Sequence, residues 1–70
     1  MLERFPEKLR LLRNRHELSQ QQLANHFGFS KNYVSALENG RKKPSLELAY
    51  KLSVLFQVTL DQLVRDDLDV

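Results

Sequence analysis

The side chains of this chain that could do chemistry gather between positions 30 and 43, and they suit recognition rather than bond making. Lys31, Asn32, Ser35 and Asn39 come close together, and Arg41, Lys42 and Lys43 follow as an unbroken basic run. Such a set supplies cations and side-chain amides, which hold anions and hydrogen-bonding edges in place without transforming them. The pattern therefore points to a polyanion. Residue types needed for catalysis or metal binding do not assemble. There is no cysteine, so disulfides and thiolate metal sites are excluded. His16 and His26 have no second ligand at metal spacing and read as structural. No Ser/His/Asp constellation, paired carboxylates or phosphate-cradling glycine loop can be built. Asp66, Asp67 and Asp69 lack the loop glycine and closing glutamate of a calcium site and read as a solvated acidic tail. The expectation is a protein that is not an enzyme and has neither metal nor cofactor.

The elements that must position this polar set lie in the stretch SQQQLANHFGFSKNYVSALENG, residues 19–40. Ser19 is an N-cap residue, Gln22 completes a capping box, and Leu18 can staple onto Leu23. Gly28 supplies the left-handed conformation that closes a helix. Ser30 then caps a second helix over 31–38, with Phe29 and Val34 at the staple positions, and Asn39-Gly40 ends it. Two short helices joined by a glycine-containing turn constitute a helix-turn-helix. Ala24 allows close approach at the crossing, and Val34 and Leu37 form one inward stripe. Lys31, Asn32, Ser35 and Asn39 then point outward, with Ala36 beside them and Tyr33 on the flank. A two-helix unit of this length cannot bury enough surface alone, so flanking helices must complete its core.

Those flanking helices are visible on both sides. Phe5 to His16 reads as a first helix, with Pro6 in its first turn and Phe5, Leu9 and Leu12 as its stripe; Leu11 lies off that stripe. Arg10, Arg13 and Arg15 read as solvated or structural. After the basic loop and Pro44, Ser45 starts a fourth helix with a stripe of Leu46, Ala49, Leu52 and Phe56, flanked by Tyr50 and Leu55. Thr59 with Gln62 repeats the capping box, and Val58 with Leu63 the staple, so a fifth helix runs from Leu60 to about Asp66. Residues 67–70 are expected to fray. The fold class is all-α, a compact five-helix bundle formed by one domain over residues 1–70.

Seventy residues leave no room for a second domain or a deep cleft. No apolar run approaches the length of a membrane span and no signal-peptide core is present, so a cytoplasmic, nucleoid-associated location without membrane contact is expected. The net charge of +2 hides a division. Residues 1–44 carry nine Lys and Arg against four Asp and Glu, whereas residues 45–70 carry two against five. A basic end bearing the helix-turn-helix would be attracted to a polyanion that repels the acidic end, which orients the approach.

The stretches LSQQQLANHFGFSKNYVSALENGRKKPSLE and VTLDQL together resemble the phage repressor and Cro (Xre-type) group of helix-turn-helix DNA-binding proteins, a likeness that covers Phe5 to Val64. Caps, small residue, turn glycine, core positions and terminal Asn-Gly all occur in register. The resemblance implies a lambda-repressor-like domain whose 31–38 helix enters the major groove of double-stranded DNA while the preceding helix lies across the backbone. It implies base contacts for Lys31, Asn32, Ser35 and Ala36, with Lys42 also reaching the groove. Backbone contacts are implied for Gln20, Gln21, Ser30, Tyr33, Asn39, Arg41 and Lys43. Gln20 would also brace the recognition helix, and Arg13 with Glu38 would form an internal ion pair. The chemistry of these residues agrees: lysine donates to guanine O6 or N7, asparagine pairs with adenine N6 and N7, and an alanine methyl can meet a thymine methyl. Glu17 and Gln57 depart from the family by replacing glycines often found there, which predicts a different turn between the first two helices. Leu11, Leu48 and Val54 are apolar where polar residues are common.

The expected function is that of a small transcriptional regulator binding a specific DNA sequence; the alternative is a protein-interaction module of the same fold, such as an antitoxin subunit. A polar, basic recognition face favours DNA, since protein-binding faces are more aromatic and less charged. One short helix touches few base pairs, so a two-fold homodimer on an inverted-repeat operator is expected. Its interface is expected from Leu48, Val54, Leu60, Leu63, Val64 and Leu68, apolar residues beyond what a small core obviously needs.

Overall fold

Serine and threonine caps decide where four of the five helices begin. A computed structural model describes all 70 residues and contains α1 (Phe5–Arg15), α2 (Gln20–Phe27), α3 (Lys31–Glu38), α4 (Leu46–Phe56) and α5 (Leu60–Val64). Ser19, Ser30, Ser45 and Thr59 each accept a hydrogen bond from the backbone N–H three residues on, and Gln22 and Gln62 return the bond to complete capping boxes.

The first four helices close alike. In each, a residue with positive φ turns the chain, and the N–H that follows it reaches back five residues. Phe29 N–H bonds the Ala24 carbonyl at 2.8 Å, and Arg41 N–H bonds that of Ala36 at 3.0 Å, after Gly28 and Gly40. Leu18 to Arg13 and Val58 to Ser53, both 3.0 Å, follow Glu17 (φ 57°) and Gln57 (φ 56°). The different first turn expected from the loss of glycine does not occur. Glu17 and Gln57 take the left-handed conformation themselves, at a cost of about 1 kcal/mol each, and the two closing hydrogen bonds hold them there.

Eleven side chains form the core: Phe5, Leu9 and Leu12 of α1, Leu23 and Ala24 of α2, Val34 and Leu37 of α3, Leu48, Leu52 and Phe56 of α4, and Leu63 of α5. α3 packs on both α2 and α1, so the outward face of α3 is left to solvent. Two expectations about α4 are corrected. Its buried face runs through Leu48, Ala49, Leu52, Ser53 and Phe56, whereas Leu46 is 75% exposed. Leu48 and Leu63 therefore belong to the core and are not free to form a surface between copies. The apolar stripe shifts because α4 meets the core through positions four apart beginning at residue 48, not at residue 46.

The carboxyl-terminal segment is also corrected. α5 stops at Val64, where Arg65 turns extended, and the residues that follow are tied down instead of frayed. The Arg4 guanidinium donates to the carbonyls of Asp66 (3.0 Å) and Leu68 (3.4 Å) and to the Asp69 carboxylate (2.7 Å). Val70 packs against the core. Beneath this strap lies an ammonium that the sequence pattern conceals, that of Lys8, a residue only 1% exposed. Its Nζ donates to the carbonyls of Gln62 at 2.7 Å and Arg65 at 2.6 Å, so a cation on α1 satisfies the open end of α5. Lys8→Met keeps most of the stem volume but leaves those carbonyls without a donor. It is expected to lower stability by about 1–3 kcal/mol, read as a lower urea midpoint at unchanged slope.

Candidate nucleic-acid interface

The position of α3 is set from beneath by one carboxylate. Val34 and Leu37 face the core, and Ala24, fully buried, gives α2 and α3 their close crossing. At the end of α3, Glu38 turns inward with no side-chain exposure. Arg13 of α1 grips it with two hydrogen bonds, Nε to Oε2 at 2.6 Å and Nη2 to Oε1 at 3.1 Å, while Arg13 Nη1 holds the Leu18 carbonyl at 2.8 Å. Gln20 Nε2 of α2 donates to the same carboxylate at 3.2 Å, and Arg10 Nη2 reaches the Glu38 carbonyl at 3.3 Å. Burial by itself raises the Glu38 pKa. The hydrogen bonds from Arg13 and Gln20, with the charges of Arg13 and Arg10, outweigh it and hold the carboxyl below its usual value.

On the outer side, Lys31, Asn32 and Asn39 are exposed, and Asn39 Nδ2 donates to Oγ of the half-buried Ser35 at 3.3 Å. Ala36 is nearly buried, and its methyl is the floor of a shallow concavity walled by Asn32, Arg41 and Lys42. The loop is fastened there because the Arg41 and Lys42 N–H groups both bond the Ala36 carbonyl. Tyr33 is held edge-on against Phe29, centroids 4.9 Å apart, and leaves part of its ring on the surface. Gln21, exposed on α2, donates to Asn25 at 2.8 Å. Lys43 is exposed beyond the concavity, and the Ser30 hydroxyl caps α3 at its edge.

Charge pairing separates this face from the rest of the surface. Arg4, Arg10, Arg13, Lys51 and Arg65 all have carboxylate partners within the molecule. Lys31, Arg41, Lys42 and Lys43 have none. The helix ends repeat the contrast: α1, α4 and α5 carry Glu7, Glu47 and Asp61 in their first turns, while α2 and α3 carry no acid there. The amino ends of both helices of the motif thus keep their positive dipole uncompensated, as a phosphate site requires. This signal was readable in the sequence once the helix starts were known. The support from Arg10 was not, because it depends on how α1 lies against α3.

Residues 9–63 match the family described as helix-turn-helix. The chain belongs to that family. Proteins named as transcriptional regulators share this domain. The chain is 39% identical over 62 residues to the cryptic phage CTXphi transcriptional repressor RstR of Vibrio cholerae, covering 89% of this chain and 56% of that one. An uncharacterised helix-turn-helix-type transcriptional regulator of Methanocaldococcus jannaschii is 38% identical over 56 residues, 80% of this chain and 85% of its own. The control protein C.MunI of a Mycoplasma species is 36% identical over 64 residues, 90% and 86% of the two chains. The domain thus spans about half of the phage repressor and most of the other two. No solved structure gives a significant match. No helix is long and apolar enough to cross a membrane.

The depressed pKa of Glu38 has a thermodynamic consequence. Since its folded-state value lies below the unfolded one, the stability it contributes is fully present above about pH 4.3, the ordinary glutamate value. It is lost as pH falls through the depressed value. Glu38→Gln is expected to destabilise the domain by about 3 kcal/mol at pH 7 by leaving Arg13 unpaired. The difference in melting temperature between the native chain and the variant should shrink on acidification below pH 4.3, as measured by thermal melts across pH.

Proposed function

We propose that this helix-turn-helix domain regulates transcription by binding a specific sequence of double-stranded DNA, with α3 in the major groove and the basic loop on the backbone. The observation that carries the reading is the grouping of Lys31, Arg41, Lys42 and Lys43, cations without intramolecular partners, around two helix amino ends free of acidic side chains. Lys31 and Asn32 stand at the exposed start of α3, where a lysine can donate to guanine and an asparagine can pair with adenine. Ser35 and the Ala36 methyl lie deeper along the same face, and Lys42 shares the concavity with Asn32 and Ala36. Gln20, Gln21, Ser30, Tyr33, Asn39, Arg41 and Lys43 ring this surface at positions suited to phosphate. Gln20 has the further task of bracing Glu38.

Because α3 has only eight residues, the domain works as a homodimer in the cytoplasm, on an inverted repeat whose half-sites lie about 34 Å apart on one face of the DNA. Relatives named as a transcriptional repressor and a control protein support a regulatory role.

Two measurements test it. If a dimer engages 6–10 phosphates, affinity for duplex DNA falls by roughly 10³ to 10⁵ between 50 and 200 mM salt; a flat salt response in a gel-shift titration would rule the electrostatic contact out. On a site selected from random duplexes, Asn32→Ala costs about 1–3 kcal/mol and relaxes one base position. Lys43→Ala instead weakens selected and random duplexes alike, and the opposite division of effects would mean that α3 does not lie in the groove as described.

A further inference from the structure

The last carbonyl groups of a helix have no partner within it, and those of α3 can be traced one by one. The Ser35 carbonyl accepts from Asn39 N–H at 2.9 Å, that of Ala36 from Arg41 N–H at 3.0 Å and Lys42 N–H at 3.3 Å, and that of Leu37 from Gly40 N–H at 3.4 Å. Each of these donors is backbone just beyond the helix. The Glu38 carbonyl differs, because its donor is a side chain from another helix, Nη2 of Arg10 at 3.3 Å. α3 brings no basic residue of its own to its last turn, so Arg10 also supplies the cation that the carboxyl end of a helix favours.

Arg10 is not needed to complete the Glu38 ion pair. Arg13 covers both oxygens of that carboxylate, whereas Arg10 Nε stands 3.6 Å from Oε1 and its side chain is half-exposed. Four residues earlier on the same face of α1, Pro6 meets the loop as well, since a Cβ at Gly40 would stand 3.6 Å from Pro6 Cγ. Pro6 and Arg10 thus form a seat on α1 for residues 38–40, and the next three residues are Arg41, Lys42 and Lys43. We infer that Arg10 is a positioning residue for DNA binding, holding the point where α3 passes into the basic loop so that the loop cations face the phosphate backbone together. The two arginines of α1 then divide the work. Arg13 grips the Glu38 side chain and sets the angle of α3, while Arg10 grips the Glu38 backbone and sets the loop. The inference rests on the DNA-binding reading above and adds a residue that acts without touching DNA itself.

Hydrogen exchange of the free chain, followed amide by amide, tests the seat without DNA. In Arg10→Ala the amides of Arg41 and Lys42 are expected to exchange about two- to tenfold faster, as the loss of one hydrogen bond allows, while those of Leu12 and Leu52 keep their protection. A loop with unchanged exchange, or one loosened only together with the core, would overturn the positioning role. Gel-shift titrations on random duplex then connect the loop to binding. Arg10→Ala is expected to weaken binding about two- to tenfold. The loss caused by Lys43→Ala should be at least about twofold smaller in the Arg10→Ala background than in the native chain, because a displaced loop no longer delivers Lys43. Losses that simply multiply would mean that Arg10 meets phosphate itself or acts through stability, and would overturn the inference while leaving the DNA-binding reading intact. A native chain that binds no duplex DNA would overturn that reading and this role together.

Discussion

The Glu38 carboxylate, buried at the end of the recognition helix and gripped by Arg13, is the interaction on which the rest of the arrangement depends. α3 is short, eight residues, and a helix of that length holds no fixed orientation from its own hydrogen bonds. Its apolar contacts, Val34 and Leu37, fix which side faces inward. The angle at which it lies across α1 and α2 is fixed by polar geometry. Arg13 contributes a planar two-point grip from α1, and Gln20 adds a third donor from α2. A buried ion pair contributes little net stability compared with an apolar replacement, but it is directional and costly to break. For a helix proposed to present side chains to base edges, direction is the useful property.

The same network links the inside of the domain to its outer face. Gln20 sits at the exposed start of α2, yet its side-chain amide is engaged with Glu38. The loop that carries Arg41 and Lys42 is anchored on the Ala36 carbonyl, two residues before Glu38. The groups proposed to face bases and phosphates are therefore held by one piece of backbone. The cations that touch nothing within the molecule are gathered on that piece, while those elsewhere are spent on carboxylates or carbonyls. Such a division leaves the attractive field concentrated where a polyanion would lie.

The opposite side is organised differently. Lys8 and Arg4 draw the carboxyl-terminal segment over α1 through backbone carbonyls, so the acidic end of the chain becomes part of the fold. The apolar side chains of α5 are buried at Leu63 and half-buried at Leu60 and Val64. α4 remains the helix with a substantial unpartnered apolar face.

Local signals in the sequence determined the helix starts, the helix-turn-helix and the outward polar set. Capping, glycine turns and short-range periodicity act over a few residues and can be read without knowing what packs where. The left-handed turns at Glu17 and Gln57 were not legible from residue type, because two closing hydrogen bonds outweigh a modest backbone cost. Tertiary structure alone decided the apolar face of α4. Leu46 and Leu48 are the same residue type two positions apart, and only the packing of α4 into the shared core, with α5 against it, selects the second. It likewise decided Lys8, whose burial is tolerable only because the open carbonyls of α5 arrive from 54 residues away. Periodicity ranks residues by type, whereas burial of a charge depends on a partner that the chain brings from a distance.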